Sequence, residues 1–264
     1  MLDNMRQAER TPARTPTSER TPAAHGIWRR ALLDWLFPPR CVACGVRGCW
    51  LCAACVSSIP PARSNRCLGC GGIVATRLDH SPYCHTCRGG FPPLDGLFAG
   101  YSFEAGIRPA IHQLKYRGGR HLGEPLGLLL AAAYRESGFT GDLIVPVPLH
   151  ANRQRERGYN QSTLLAEVLG RLIDRPLRPD VLRRTRETLP QVSLPARLRR
   201  ENVHGAFAVV GVQPGGERRS DLLGRSVVVV DDVCTTGATL EACATSLRAA
   251  GCARVFGLTL ARAK

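Results

Sequence analysis

Two adjacent carboxylates, Asp231 and Asp232, end a run of four valines and lead into Val-Cys-Thr-Thr-Gly-Ala-Thr at 233–239. A hydrophobic strand that delivers acids at its C-terminal end, followed by a hydroxyl-rich turn opening into a helix, is suited to a phosphorylated sugar. Backbone N–H groups at the helix start and the hydroxyls of Thr235, Thr236 and Thr239 form a phosphate cradle. Gly237 lets the backbone approach the anion closely, with Ala238 small enough beside it. The acids would repel that phosphate, so they need another task. Accepting hydrogen bonds from ribose hydroxyls, with help to a bound Mg²⁺, is the natural one. The loop has no lysine and no GxxxxGK[ST] pattern, which excludes a P-loop. A simple helix-capping turn with Thr235 or Thr236 as the cap uses the same residue types, but the whole string is more specific than such a turn requires. Cys234 reads as a small space-filler rather than a nucleophile.

A second constellation lies at 144–161, IVPVPLHANRQRERGYNQ. A strand end gives way to Arg153, Arg155 and Arg157, then Gly158, Tyr159 and Asn160, after which a helix begins. Guanidinium forks beside a glycine turn suit pyrophosphate. The other reading, a basic helix start, is disfavoured by the helix dipole unless an anion is present. Six further arginines at 183–200 (183, 184, 186, 197, 199 and 200) face a single Glu187. Two prolines and no firm apolar period predict a mobile loop, or a loop with a short helix, able to close over a polyanion.

Four CxxC pairs, Cys41/Cys44, Cys52/Cys55, Cys67/Cys70 and Cys84/Cys87, crowd into 41–87. Two such knuckles complete a tetrahedral Zn²⁺ site, so eight thiols hold one or two structural ions. Which pairs join is left open. Cys49 is an alternative to Cys52, and His80 and His85 are alternative ligands, although surface histidines are the plainer reading. Without a secretory leader or a long apolar run, the expected compartment is the reducing cytoplasm, with no membrane insertion.

These groups need elements to hold them. Residues 1–26, with Thr-Pro repeated, lack apolar periodicity and read as a disordered extension. Residues 27–37 predict a short amphipathic helix stopped by Pro38-Pro39. Residues 27–90 read as one cysteine-rich zinc-binding module, in which 40–90 have too few large apolar side chains for a core and need a metal staple. From 91 to 264 strands alternate with helices. The strands are expected at FPPLDGLFAGYSF, DLIVPVPLH, SVVVVDD and CARVFGLTLAR. The helices are expected at IRPAIHQLKYRG, EPLGLLLAAAYRESG, NQSTLLAEVLGRLI and GATLEACATSLRAAG. That alternation predicts an α/β fold with a parallel sheet. The chain of 264 residues has a net charge of +15, which favours polyanionic partners or reflects a solvated arginine-rich surface.

VVVVDDVCTTGAT resembles the phosphoribosyl pyrophosphate signature of type I phosphoribosyltransferases. Together with PVPLH…RQRERGYNQS, QVSLPARLRRENVHGAF, LKY at 114–116 and the cysteine pairs, it resembles the ComF/GntX family over about 41–262. The resemblance implies a type I phosphoribosyltransferase fold, a largely parallel sheet flanked by helices, behind a small zinc-ribbon-like module. It implies pentosyl transfer from phosphoribosyl pyrophosphate to an unidentified acceptor, with Asp231 and Asp232 on the ribose and 235–239 on the 5′-phosphate. Arg153, Arg157 and the 183–200 segment fall to the pyrophosphate. Arg157 acts with the two acids in catalysis, and Asn160, Gln191 and Arg197 are further substrate contacts, with Asn202 near the site. A link to competence and DNA uptake is implied as well. The alternative function is a zinc-containing single-stranded-DNA-binding or adaptor protein whose phosphate site is regulatory or vestigial.

Overall fold

The computed structural model describes residues 38–62, 67, 87, 93–104, 106–116, 118–188, 196–212 and 219–263. The expectations for 1–26, for the helix at 27–37, for the boundary at 90/91, and for Cys70, Cys84, His80, His85 and Gln191 lie outside these residues. Residues 39–264 form one compact unit.

The frame is a four-stranded, wholly parallel sheet. Its strands are β1 (Gly96–Ser102), β2 (Leu143–Pro146), β5 (Ser226–Cys234) and β6 (Arg254–Arg262), in the order β1-β6-β5-β2. Val227–Val230 are fully buried, as expected for a central strand covered on both faces. The period of two assigns them alternately. Val228 and Val230 join Leu258 and Leu260 in one core layer with helices α3 (Gly123–Ser137) and α5 (Gln161–Ile173). Val227 and Val229 join Val255 in the other layer, under helix α7 (Ala238–Ala249). Helix α3 ends at Gly138, whose φ of +67° supplies a left-handed cap at the glycine that closes the expected EPLGLLLAAAYRESG helix. At Gly127 the helices α3 and α5 approach so closely that an added Cβ would lie 2.5 Å from Val168.

Three elements differ from expectation. Strand β5 continues past the acids to Cys234, because β6 extends with it in register: Asp231 pairs with Thr259, Val233 with Ala261 and Cys234 with Arg262. The arginines of the second constellation sit on a helix, α4 (Ala151–Arg157), with Arg155 and Arg157 in its last turn. A helix C-terminus favours cations, so the dipole argument for a bound anion does not hold there. Finally, the arginine-rich segment begins as sheet. Strand β3 (Leu182–Arg184) pairs antiparallel with β4 (Phe207–Val209) because Leu182, Phe207 and Val209 are buried. Between them lies helix α6 (Ala196–Val203), which carries Arg197 and Asn202. The arm is tied to α7 by Ser246 Oγ donating to the Phe207 carbonyl (2.9 Å) and by the Arg200–Glu241 ion pair (3.3 Å).

The cysteine segment is built into the same unit. A short helix α1 (Ala53–Ser57) starts within the second knuckle, with Cys52 as its N-cap and Cys55 on it, and Cys41, Leu51 and Ile59 join the core layer that holds Ile107 and Ile111 of helix α2 (Ile107–Leu114). Residues 60–62 then lie along the edge strand β1. Ala62 N–H donates to the Gly100 carbonyl (2.9 Å) and Ser102 N–H to the Pro60 carbonyl (3.0 Å).

Candidate functional site

Asp231 and Asp232 lie late in β5, facing the start of α5, and two of the residues that hold them come from one short motif. Helix α4 ends at Gly158, whose φ of +83° turns the chain. Asn160 then caps α5: its side-chain oxygen accepts from Ser162 N–H (3.0 Å), while its amide nitrogen donates to the Val147 carbonyl (2.9 Å). That fixes the first turn of α5, from which two side chains reach the acids. Gln161 Nε2 donates to Asp232 Oδ1 (3.2 Å) and Ser162 Oγ donates to Asp231 Oδ1 (2.9 Å). Arg157 in turn donates to the Gln161 side-chain oxygen, orienting that amide. Gln161 and Ser162 are themselves buried polar residues, 5% and 0% exposed.

The strongest partner of the pair is Lys115, directly after α2. Its Nζ sits 2.7 Å from Asp232 Oδ2. The Tyr159 hydroxyl fixes that turn, lying 2.6 Å from the carbonyl oxygens of both Leu114 and Tyr116. Burial and the neighbouring Asp232 raise the Asp231 pKa, to about 7. For Asp232 burial pushes the same way, but the Lys115 ammonium outweighs it, and its pKa is lowered. Lys115 stays charged, because the pull of the two acids overcomes its own burial.

Three arginines flank the pair. Arg157 and Arg184 are both lowered from the usual guanidinium range, first by burial, with Arg153 opposing each of them and an acid partly offsetting it. Arg184 also lies over the Phe207 ring at 5.4 Å and donates to Thr188. Beyond the acids, Gly237 has a φ of +87° and forms the N-cap of α7. Asp231, Cys234, Thr235, Gly237, Ala238 and Thr239 line a recess of about 200 Å³ at that helix start, solvent included. Thr236 Oγ1 lies within reach of the Ala238 N–H (3.4 Å). Cys234 is buried and its thiol is pushed up to about 11 by burial, which suits a space-filler.

At the other end of the unit, the sulfurs of Cys41, Cys44, Cys52 and Cys55 all lie within 4.8 Å of one another. Zn–S bonds of about 2.3 Å set at tetrahedral angles require sulfurs about 3.8 Å apart, and Cys44 and Cys52 are 3.7 Å apart. The knuckles are shaped by N–H groups of Cys52 and Cys55 donating to the sulfurs of Cys41 and Cys52, both at 3.4 Å. Gly45, with a φ of +78°, makes the turn after the first knuckle. The donor set therefore fits a structural zinc ion, and the first two CxxC pairs are the ones that join. Cys52, not Cys49, completes the four.

The expectation for the other two knuckles falls on Cys70 and Cys84, which lie outside the described residues. Of their mates, Cys67 is buried and Cys87 half-buried.

A family model described as the double zinc ribbon domain matches residues 32–88, and one described as the phosphoribosyl transferase domain matches 176–263. Competence protein F of Haemophilus influenzae is 30% identical over 80% of this chain and 96% of that protein. DNA utilization protein YhgH of Escherichia coli K12 is 34% identical over 78% of this chain and 93% of its own. The chain belongs to the competence protein F (ComF) family. Among solved structures, an allosteric regulatory enzyme of purine biosynthesis aligns with a TM-score of 0.34 at 22% identity, covering 52% of this chain and 26% of that one. The fold of this ComF-family chain is the type I phosphoribosyltransferase fold, with its parallel sheet flanked by helices and a zinc-ribbon segment ahead of it.

Of the site residues named from sequence, Asp231, Asp232, Arg153, Arg157, Asn160 and Thr235–Thr239 are gathered around the C-terminal ends of β5 and β2. Asn160, expected to contact substrate, has both ends of its amide on backbone groups. Gln191 and the Arg197 side chain lie outside the described positions. Sequence reasoning had Lys115 only within the LKY string and Tyr159 and Gln161 only within the second constellation, and gave none of these, nor Ser162, a role at the acids. One signal was present for the first. Of 36 basic residues only two are lysines, Lys115 and the terminal Lys264.

Proposed function

We propose that the chain binds phosphoribosyl pyrophosphate and transfers its pentosyl group to an acceptor. The observation that carries this reading is the buried acid pair, held by Gln161, Ser162 and Lys115, directly preceding a hydroxyl-rich helix start. The acids accept the ribose 2′- and 3′-hydroxyls, and the 235–239 turn takes the 5′-phosphate through backbone N–H groups and threonine hydroxyls. Arg153, Arg157 and Arg184 crowd one another enough that a polyanion between them relieves their repulsion, and pyrophosphate is that anion. In the reaction the acceptor's nucleophile attacks C1 while the C1–O bond to pyrophosphate breaks. The bonding pair leaves on pyrophosphate, with no covalent enzyme intermediate. Catalysis then rests on positioning and on charge stabilisation of the leaving group.

Lys115 Nζ already sits 2.7 Å from Asp232 Oδ2, so a resident Mg²⁺ on that oxygen would face an ammonium. Gln161 takes one lone pair of Asp232 Oδ1, and Ser162 and the Asp232 N–H take those of Asp231 Oδ1, which leaves acceptor capacity for neutral ribose hydroxyls. Among the described residues the cysteine quartet is the one group of three or more such side chains placed to hold a metal ion. Mg²⁺ belongs to this proposal only as a counter-ion arriving on the ligand. Zinc is structural, and its thiolates fit a reducing, cytoplasmic setting. A second zinc ion on Cys67, Cys70, Cys84 and Cys87 is part of the same proposal, supported by their CxxC spacing and by the double zinc ribbon match.

Binding of phosphoribosyl pyrophosphate to wild type and to an Asp231→Asn/Asp232→Asn double variant tests the proposal. The double variant should lose at least about a hundredfold in affinity; equal binding sinks the assignment. A second reading, single-stranded DNA binding linked to DNA uptake, draws on the +15 charge and on the names of the relatives. It requires a mobility shift at low salt that fades steeply as salt rises.

A further inference from the structure

We propose that the Lys115 ammonium is a built-in counter-cation which, at Asp232, does the charge-bridging work of a divalent metal ion, linking the carboxylate to a bound ligand's pyrophosphate. The inference rests on the phosphoribosyl pyrophosphate reading above and adds the residue that makes such a site work without a metal on its acids.

Three observations carry it. Lys115 Nζ lies 2.7 Å from an oxygen of a carboxylate that is only 5% exposed, while the lysine side chain itself is 33% exposed. The ammonium thus reaches inward to the acid on a side chain that is not sealed from solvent. The backbone carrying it is fixed from two directions. Lys115 N–H points at the Ile111 and His112 carbonyls (3.2 and 3.1 Å), and the Tyr159 hydroxyl meets the carbonyls on either side. The chain spends 34 arginines elsewhere and places its single internal lysine here.

The residue type matters. An ammonium is a compact point charge with three donors and no planar fork. It can donate to a buried carboxylate oxygen and to phosphate oxygens at once, as a small cation would. In a phosphoribosyl pyrophosphate the 2′-hydroxyl and the pyrophosphate at C1 lie on the same side of the ring. A cation on Asp232 therefore stands beside both the diol and the departing group. Arg157 supplies a second positive charge close to the same carboxylate.

The test is calorimetric titration of the full-length, zinc-loaded protein with the sodium salt of phosphoribosyl pyrophosphate. It is run with millimolar Mg²⁺ and with none added, without a chelator that would strip the zinc. Wild type should lose no more than about tenfold in affinity when Mg²⁺ is left out. Lys115→Met should lose about a hundredfold or more without Mg²⁺ and recover a large part of it when Mg²⁺ is present. Wild-type binding that strictly requires Mg²⁺ overturns the inference without using a variant, and leaves the function standing. A folded Lys115→Met protein that binds like wild type without Mg²⁺ overturns it too. Failure of folded wild type to bind under both conditions removes the functional reading, and the inference falls with it.

Discussion

Asp231 and Asp232 are neighbours on one strand, yet their surroundings drive their ionisation apart. Lys115 and Gln161 keep Asp232 charged, and burial beside that charge lifts Asp231 to about 7. An unfolded aspartate titrates near 3.9. Between about pH 4 and 7 the folded chain therefore holds a proton that the unfolded chain gives up. The Asp231 contribution to stability declines over that window and is level above it. Urea denaturation midpoints of wild type should show this decline, and Asp231→Asn should remove it. Ligand binding runs the other way, because a diol donates best to an ionised acceptor. Affinity should rise between about pH 6 and 8 in wild type and flatten in Asp231→Asn. Tyr159→Phe removes the one hydroxyl donor shared between the Leu114 and Tyr116 carbonyls and should cost about 0.5–1.5 kcal/mol in stability. It should weaken ligand binding as well, through a less fixed Lys115; unchanged binding would separate Tyr159 from the site.

At the scale of elements, the strands and helices from 91 onward were legible because each carries its own period or cap. The valine run and Gly138 are examples, and both appear as expected. What could not be read depends on partners distant in sequence. Strand β5 outruns its apolar stretch because β6 keeps pairing with it through Cys234. Helix α4, with sequence ANRQRER, has no apolar side to reveal it and is stopped only by Gly158. The site was half legible. The DDVCTTGAT string announced itself through local chemistry. The roles of Gln161 and Ser162 needed the sheet to bring β5 against the first turn of α5, and those of Lys115 needed α2 to end there. The closeness of α3 and α5 gives a test away from the site. Gly127→Ala would press a Cβ against Val168 and should cost about 1–3 kcal/mol by overpacking. Chemical denaturation reads that cost directly.

At the scale of the whole molecule, the zinc segment is part of the unit that carries the site. Cys41, Leu51 and Ile59 share a core layer with α2, whose end presents Lys115, and the Trp50 ring packs at a tilt against His121, centroids 3.6 Å apart, two residues past the turn at Gly119. Zinc content and stability should therefore move together. Cys52→Ser should lose one equivalent of zinc by metal analysis and lower the midpoint of a single thermal transition. Two well-separated transitions, with the second unchanged, would show the segment folding apart from the rest. The account as a whole stands on one claim, that the acid pair and the 235–239 turn form a sugar-phosphate site. Titration of the folded, zinc-loaded protein with phosphoribosyl pyrophosphate in the presence of Mg²⁺ tests it most directly. Binding in the micromolar range, about −8 kcal/mol, is the predicted result; no heat of binding from a demonstrably folded sample would contradict it.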